Sequence, residues 1–125
     1  MEDALRKMDL EFCGSSGHKM TLEKLWEVKD AFFLDVRDEA EVRALRFDLE
    51  MFGIPTKNIP IHQLPDRVEE LPGDRLIVCF CSSGTRSAWA YLYLFSQGFR
   101  TKWLKATNEE LAASLKPGKI LKAIK

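Results

Sequence analysis

An α/β domain with a central, mostly parallel sheet of four to five strands and helices on both faces is the fold this chain predicts. Three observations carry that expectation. The runs Ala31-Phe32-Phe33-Leu34-Asp35-Val36 and Leu76-Ile77-Val78-Cys79-Phe80 are strand-length and almost wholly apolar, as strands covered on both faces are. Such runs alternate along the chain with segments that carry helix-capping signals. The 125 residues suffice for one domain and its core, and they show neither an internal repeat nor a second domain.

Residues 1–18 read as a lead segment whose first part forms a short helix, with Cys13-Gly14-Ser15-Ser16-Gly17 as a flexible linker. The domain proper spans 19–125. Thr21 is an N-cap for a short helix with apolar positions at Leu22, Leu25, Trp26 and Val28. The first strand, Ala31 to Val36, ends in charge. Asp38 and Glu41 then have the spacing of a capping box, opening a helix that runs towards Gly53. Ile54 to Ile61 is a second extended segment, and Leu64 to Leu71 a short helix. The turn Pro72-Gly73-Asp74 leads into the strand Arg75 to Phe80. A helix over Ala88 to Phe95 stops near Gly98, and Phe99 to Leu104 alternates like a strand. Thr107 and Glu110 cap another helix, which Pro117-Gly118 ends. The basic tail from Lys119 carries Ile120, Leu121 and Ile124, which are able to dock.

Bulk properties restrict the function classes. Nineteen Lys and Arg balance nineteen Asp and Glu, so no global charge favours nucleic acid or an anionic membrane, and neither is an expected partner. No apolar run is long enough to cross a bilayer, and the charged start Met1 to Lys7 lacks the apolar core of a signal peptide. Three cysteines without paired spacing argue against a disulfide framework and for a reducing cytoplasm. His18 and His62 have no metal-ligand spacing with the cysteines, and no metal or organic cofactor is expected.

The chemistry concentrates at Cys81-Ser82-Ser83-Gly84-Thr85-Arg86-Ser87, between a buried strand and a packed helix. A cysteine is nucleophilic only as its thiolate. The small residues Ser82, Ser83, Gly84 and Thr85 let successive backbone N–H groups turn inwards as an anion nest. The helix starting near Ser87 aims its positive end at the sulfur, and Arg86 adds a charge and a donor fork. The plainer reading is a buried structural cysteine followed by an ordinary turn. The glycine, hydroxyls and arginine at one strand-to-helix junction favour a site. In parallel sheets, such sites lie at the carboxyl ends of strands.

Over about residues 19 to 104 the chain resembles the rhodanese-like domains, the single-domain sulfurtransferases. The resemblance rests on Leu34-Asp35-Val36-Arg37 with acidic Asp38, Glu39 and Glu41, on Ile59-Pro60-Ile61, and on Leu71-Pro72-Gly73-Asp74-Arg75-Leu76-Ile77-Val78. It rests also on Gly98-Phe99 with Trp103-Leu104 and, above all, on the loop from Cys81 to Ser87. It implies that Cys81 takes sulfane sulfur from a small donor such as thiosulfate or a persulfide and passes it to a thiol or cyanide, with a sulfur-relay protein as a further kind of partner. The loop amides from Ser82 to Ser87 would stabilise the persulfide. Arg86 would hold the loop and pair with Asp35, and Asp35 and Arg37 would support the site. Two stretches depart from the family pattern and bear on substrate choice. Ala44 to Pro55 replaces a histidine-containing segment, and Lys105-Ala106-Thr107 replaces a double glycine and tryptophan.

Two other classes compete. Cysteine-dependent phosphatases place five residues between cysteine and arginine, whereas four lie between Cys81 and Arg86 here, which suits a single sulfur better than a tetrahedral phosphate. A non-catalytic binding module of the same fold is the other. Cys79 reads as a core cysteine, and Cys13 as an exposed thiol or one that resolves oxidised Cys81. Asp35 and Arg37 read as a structural pair before a catalytic one. Trp89, Tyr91 and Tyr93 read as packing the helix on the sheet. Lys116, Lys119, Lys122 and Lys125 recur every third residue as a solvated face. Lys102 and Lys105 would add positive potential at the mouth.

Overall fold

Phe32, Leu34, Ile77 and Cys79 fall on one face of their strands while Phe33, Val78 and Phe80 fall on the other, so both faces need cover. The computed structural model describes residues 1–125 and supplies that cover. Five strands, β1 (Lys19–Met20), β2 (Ala31–Asp35), β3 (Thr56–Asn58), β4 (Leu76–Phe80) and β5 (Thr101–Leu104), form one sheet in the order β1-β5-β4-β2-β3. Every pairing is parallel. The central β4 lies between β2, with Ala31 opposite Leu76 and Asp35 opposite Phe80, and β5, with Ile77 opposite Thr101.

Eight helices surround the sheet: α1 (Glu2–Arg6), α2 (Leu10–Gly14), α3 (Leu22–Glu27), α4 (Glu39–Ala44), α5 (Leu64–Arg67), α6 (Thr85–Ser96), α7 (Asn108–Ser114) and α8 (Pro117–Ile124). On one face, Leu25 of α3, Leu111 of α7, Phe47 and Leu49 pack over Phe33, Val78 and Phe80. On the other, Ala90 and Leu94 of α6, with Leu64 and Ile59, pack over Phe32, Leu34, Ile77 and Cys79. These side chains are almost wholly buried. Truncating one of the large ones, such as Phe80, costs about 3–5 kcal/mol by this kind of packing loss.

Most expected caps are present. Thr21 accepts from the Lys24 N–H, and Asp38/Glu41 and Thr107/Glu110 form full capping boxes. The differences are local. Cys13 lies in α2, capped by Asp9, rather than in a flexible linker. The helix after Asp38 stops at Ala44, because Leu45 turns extended at φ −151°, and a separate 3-10 turn, Glu50–Phe52, leads to Gly53 at φ +78°. Pro117 begins α8 instead of ending α7, since a proline at the first helical position sacrifices no hydrogen bond. Leu121 and Ile124 of α8 stay exposed rather than docking. Lys119 is not on a solvated face: its ammonium lies 3.8 Å from the Trp26 ring centroid. The two-residue β1 was not expected. It is held by the Trp103 N–H donating to the His18 carbonyl at 3.0 Å and by Lys105 N–H to Met20 at 2.8 Å. The lead segment is tied in as well, with Phe12 stacked on Phe95 of α6 at 5.9 Å.

Candidate functional site

The chain leaving β2 goes outwards to β3, and the chain leaving β4 goes the opposite way to β5. This divergence opens a crevice between the carboxyl ends of β2 and β4, where ligands of parallel sheets bind. Cys81 is the first residue beyond β4, and α4 starts just beyond β2, so both reach the crevice.

The loop after Cys81 folds back over the sulfur. Gly84 adopts φ +97°, a left-handed turn that an L side chain resists, and there its N–H points at Cys81 Sγ from 3.0 Å. A Cβ added at Gly84 would also lie 3.3 Å from the Trp103 ring. The Ser87 N–H, in the first turn of the twelve-residue α6, approaches the same sulfur at 3.3 Å, and the Ser87 hydroxyl oxygen lies 3.5 Å away. That hydroxyl also donates to the Gly84 carbonyl at 3.0 Å. It has one proton. With Cys81 a thiol, S–H donates to Ser87 and Ser87 to Gly84. With Cys81 a thiolate, the hydroxyl must turn to the sulfur.

Cys81 is fully buried, which on its own raises a thiol pKa. Against that burial stand the Ser87 hydroxyl and the N–H groups of Ser87, Ser83 and Gly84, and the balance lowers the Cys81 pKa below its ordinary value. Hydrogen bonds to the charged form thus win over desolvation. Arg86 contributes differently from expectation. Its Nη1 donates to Glu41 Oε1 at 2.6 Å and its Nη2 to Glu41 Oε2 at 2.9 Å, with a further bond to Ser82 Oγ at 3.3 Å. The partner is Glu41 of α4, not Asp35. Asp35 is already occupied, because its carboxylate takes Arg37 Nε and Nη2 at 2.7–3.1 Å. The Arg86 fork therefore spans the crevice and braces the loop rather than opening into it. The Glu41 carboxyl is held at about 2, first by the Arg86 hydrogen bond, against a smaller burial penalty.

The Asp35–Arg37 pair is buried. Arg37 is 1% exposed and its guanidinium lies 5.2 Å from the Phe47 ring and 5.5 Å from Phe80. It also donates to the Leu45 carbonyl at 2.8 Å. Such a pair is buried only because its hydrogen bonds are filled. Asn58 Nδ2 donates to the Asp35 and Arg37 carbonyls, both at 2.9 Å, fixing the turn that delivers α4 to the crevice.

Other candidates separate. Cys79 points into the same layer as Cys81, but inside the sheet, 3.7 Å from Thr101 Oγ1, and burial pushes its thiol up to about 12. Tyr91 is buried and Tyr93 half-buried, whereas Trp89 is 62% exposed and does not pack α6 on the sheet. Lys102 is at the opposite end of β5 from the loop, where its ammonium donates to the Ser16 carbonyl at 3.4 Å in a groove with Lys19, Lys24 and Arg100. Lys105 does reach the mouth, lining a cleft with Ser83 and Gly84. No group of three His, Cys, Asp or Glu side chains is arranged to hold a metal ion. No helix is long and apolar enough to cross a membrane. Glu41 and Trp103 are the site residues that sequence reasoning missed. Glu41 was visible as a cap and as one of the acidic residues after Asp35-Val36-Arg37, but not as the partner of Arg86, although its second oxygen was left free to take one.

No family model matches the sequence. A sulfurtransferase of Allochromatium vinosum is 35% identical over 78 residues, 62% of this chain and 66% of that protein. The provisionally named sulfurtransferase YtwF of Bacillus subtilis is 32% identical over 79 residues, 63% of this chain and 71% of its own length. Among solved structures, a rhodanese-related protein from Thermoplasma volcanium superposes with a TM-score of 0.65 at 23% identity, over 80% of this chain and 95% of that one. At that identity the superposition speaks for the fold.

Proposed function

This chain belongs to the rhodanese-like family, and on that premise we propose that it is a sulfurtransferase in which Cys81 carries sulfane sulfur as a persulfide. Relatives named as sulfurtransferases support transfer of sulfur as a class. The observation that carries the finer reading is the ring of donors on one sulfur: the N–H groups of Gly84 and Ser87, with the Ser87 hydroxyl beside them.

In the first half-reaction the Cys81 thiolate attacks the outer sulfur of thiosulfate. An S–S bond forms to Sγ, the bond to the sulfonate sulfur breaks, and sulfite leaves with the electron pair. The terminal sulfur of the resulting persulfide is anionic in its deprotonated form and lies one S–S bond, about 2 Å, beyond Sγ, so the loop amides that surround the thiolate shift onto it to stabilise its charge. In the second half-reaction, cyanide or a thiolate attacks the terminal sulfur and the pair returns to Sγ. This is covalent, two-step chemistry. Cys81 is buried while Ser83 and Thr85 of the loop are exposed, so on this reading a donor reaches Sγ only if those residues move aside. A reducing compartment, which we take to be the cytoplasm, keeps the three free cysteines available.

A phosphatase reading loses support from Arg86. Both terminal nitrogens of its fork are engaged by Glu41, which leaves the fork turned away from an oxyanion in the loop.

The test is to incubate the protein with thiosulfate, record intact mass, then add cyanide and measure thiocyanate. We expect a gain of one sulfur atom and stoichiometric thiocyanate, both lost in Cys81→Ser. Absence of persulfide with every donor would favour a binding module. Turnover of an aryl phosphate, lost in the same variant, would favour a phosphatase.

A further inference from the structure

One wall of the catalytic loop faces a cleft that the sulfur chemistry leaves unused. The cleft has a volume of about 310 Å³, within the range of small-molecule sites. Ser83 and Gly84 line it from the loop, and Trp103, Lys105, Thr107 and Glu110 line it from β5 and the segment beyond. Its far side is built by the stretch that departs from the family pattern, Lys105-Ala106-Thr107. Gly84 belongs to both compartments, since it lines the cleft and its N–H donates to Cys81 Sγ. A molecule in the cleft is therefore one loop residue away from the reacting sulfur.

The two charged side chains of the cleft, Lys105 and Glu110, are differently committed. Lys105 is exposed and takes part in none of the ion pairs of the chain. Glu110 is the opposing carboxylate and keeps its charge, but the Thr107 N–H holds its Oε1 at 3.0 Å against the first turn of α7, whereas the Lys105 ammonium has no such tie. The loop wall adds the positive end of the twelve-residue α6. An anionic group is favoured there over a neutral or cationic one, and the Trp103 ring offers an apolar surface for a short carbon chain.

We propose that this cleft is the acceptor subsite and selects a small thiol that carries a carboxylate, with Lys105 as the specificity-determining residue. The inference rests on the sulfurtransferase reading. The carboxylate pairs with Lys105 while the thiolate reaches over Gly84 to the persulfide. The thiolate electron pair forms a bond to the terminal sulfur of the Cys81 persulfide, and the bond from that sulfur to Sγ breaks. Its pair returns to Sγ as the Cys81 thiolate, and the proton of the terminal sulfur leaves with the product persulfide. No oxidant or reductant is needed.

The experiment isolates the second half-reaction. The full chain is loaded with thiosulfate and desalted. Discharge of the persulfide is then followed by mass in single turnovers with 3-mercaptopropionate, 2-mercaptoethanol or cysteamine. Intrinsic thiol reactivity cancels when each rate constant is divided by that of a Lys105 variant. We expect the 3-mercaptopropionate rate constant, relative to that for 2-mercaptoethanol, to fall about fivefold in Lys105→Ala, the scale of one partly exposed ion pair. The ratio should fall further in Lys105→Glu, with cysteamine gaining, and hold in Lys105→Arg. A ratio unmoved by both Lys105→Ala and Lys105→Glu overturns the subsite while leaving the sulfurtransferase reading intact. Failure to load any persulfide overturns both, and is seen before an acceptor is added.

Discussion

Cys79 and Cys81 are two residues apart, face the same layer and are both fully buried, yet their thiols are driven in opposite directions. Cys79 is within β4, where the backbone N–H groups around it are committed to the neighbouring strands. Its neighbour Thr101 donates its hydroxyl proton to the Ile77 carbonyl at 2.8 Å and sits at a long 3.7 Å from the sulfur. That single weak contact lowers the thiol pKa less than burial raises it. Cys81 is one step past the end of the strand, where the N–H groups of the loop and of α6 have no strand to pair with and converge on the sulfur. Burial alone does not make a thiol inert. What separates the two is whether the surrounding donors are already spent.

The sharpest way to break this comparison is to exchange the sulfurs in turn. Cys81→Ser should abolish persulfide formation and thiocyanate release, a loss of at least about a thousandfold. Cys79→Ala should retain turnover and cost only packing energy, about 1–2 kcal/mol by chemical denaturation.

Next in size is alkaline stability. Cys79 has a folded pKa raised to about 12, so between the ordinary thiol value and pH 12 the folded chain holds a proton that the unfolded chain releases. Stability therefore falls as pH rises through that window, by about 1.4 kcal/mol per pH unit from this group. Denaturation of the native chain and of Cys79→Ala at a series of alkaline pH values should show a flatter profile for the variant. Parallel profiles would mean that Cys79 ionises as readily folded as unfolded.

Ser87→Ala comes third. Removing the hydroxyl beside Cys81 Sγ should move the pH midpoint of Cys81 alkylation upwards and slow sulfur loading at neutral pH about tenfold, the scale of one hydrogen bond to a charged group. Iodoacetamide labelling with peptide mass mapping separates Cys81 from exposed Cys13.

Glu41→Gln is smaller. Glutamine keeps the reach to the Asp38 N–H but loses the charge that braces Arg86. Because both partners are about a third exposed, the cost is about 1 kcal/mol. The Glu41 pKa is depressed from 4.5 to about 2, so its contribution is complete above the unfolded value and disappears as pH falls through about 2. Acid titration of stability should therefore be shallower in the variant between pH 4.5 and 2. Thr101→Val should do least, under about 1 kcal/mol and without effect on turnover. A large activity loss there would show that the strand interior does reach the site.

The parallel sheet, the loop and the caps were legible because each rests on short-range signals. The apolar runs at 31–36 and 76–80, the cap at Thr21 and the boxes at 38–41 and 107–110 are local patterns, and the structure contains all of them. What could not be read joins distant residues or depends on which face of an element is covered. Arg86 was expected to pair with Asp35, but Arg37 has already taken Asp35, which leaves Glu41 as the partner. Trp89 was misplaced because α6 is nearly apolar all round, with Trp89, Tyr91, Leu92, Tyr93 and Phe95 offering no polar stripe to mark the outside. The pairing of β1 is too short to leave a periodic trace, since two residues cannot alternate. Lys102 and Lys105 are three apart, yet they serve opposite ends of the sheet because one begins near the strand start and the other follows its end.

The two outermost strands have a consequence for how copies of this chain meet in solution. β1 pairs through two residues and β3 through three, and each includes a lysine, Lys19 and Lys57. Short, charged edges give an incoming strand almost nothing to register against, so edge-to-edge growth into larger assemblies is disfavoured. The protein is thereby suited to being concentrated: crowding it should bring side-chain contacts, through surfaces such as that around Trp89, well before it extends the sheet from one molecule into the next.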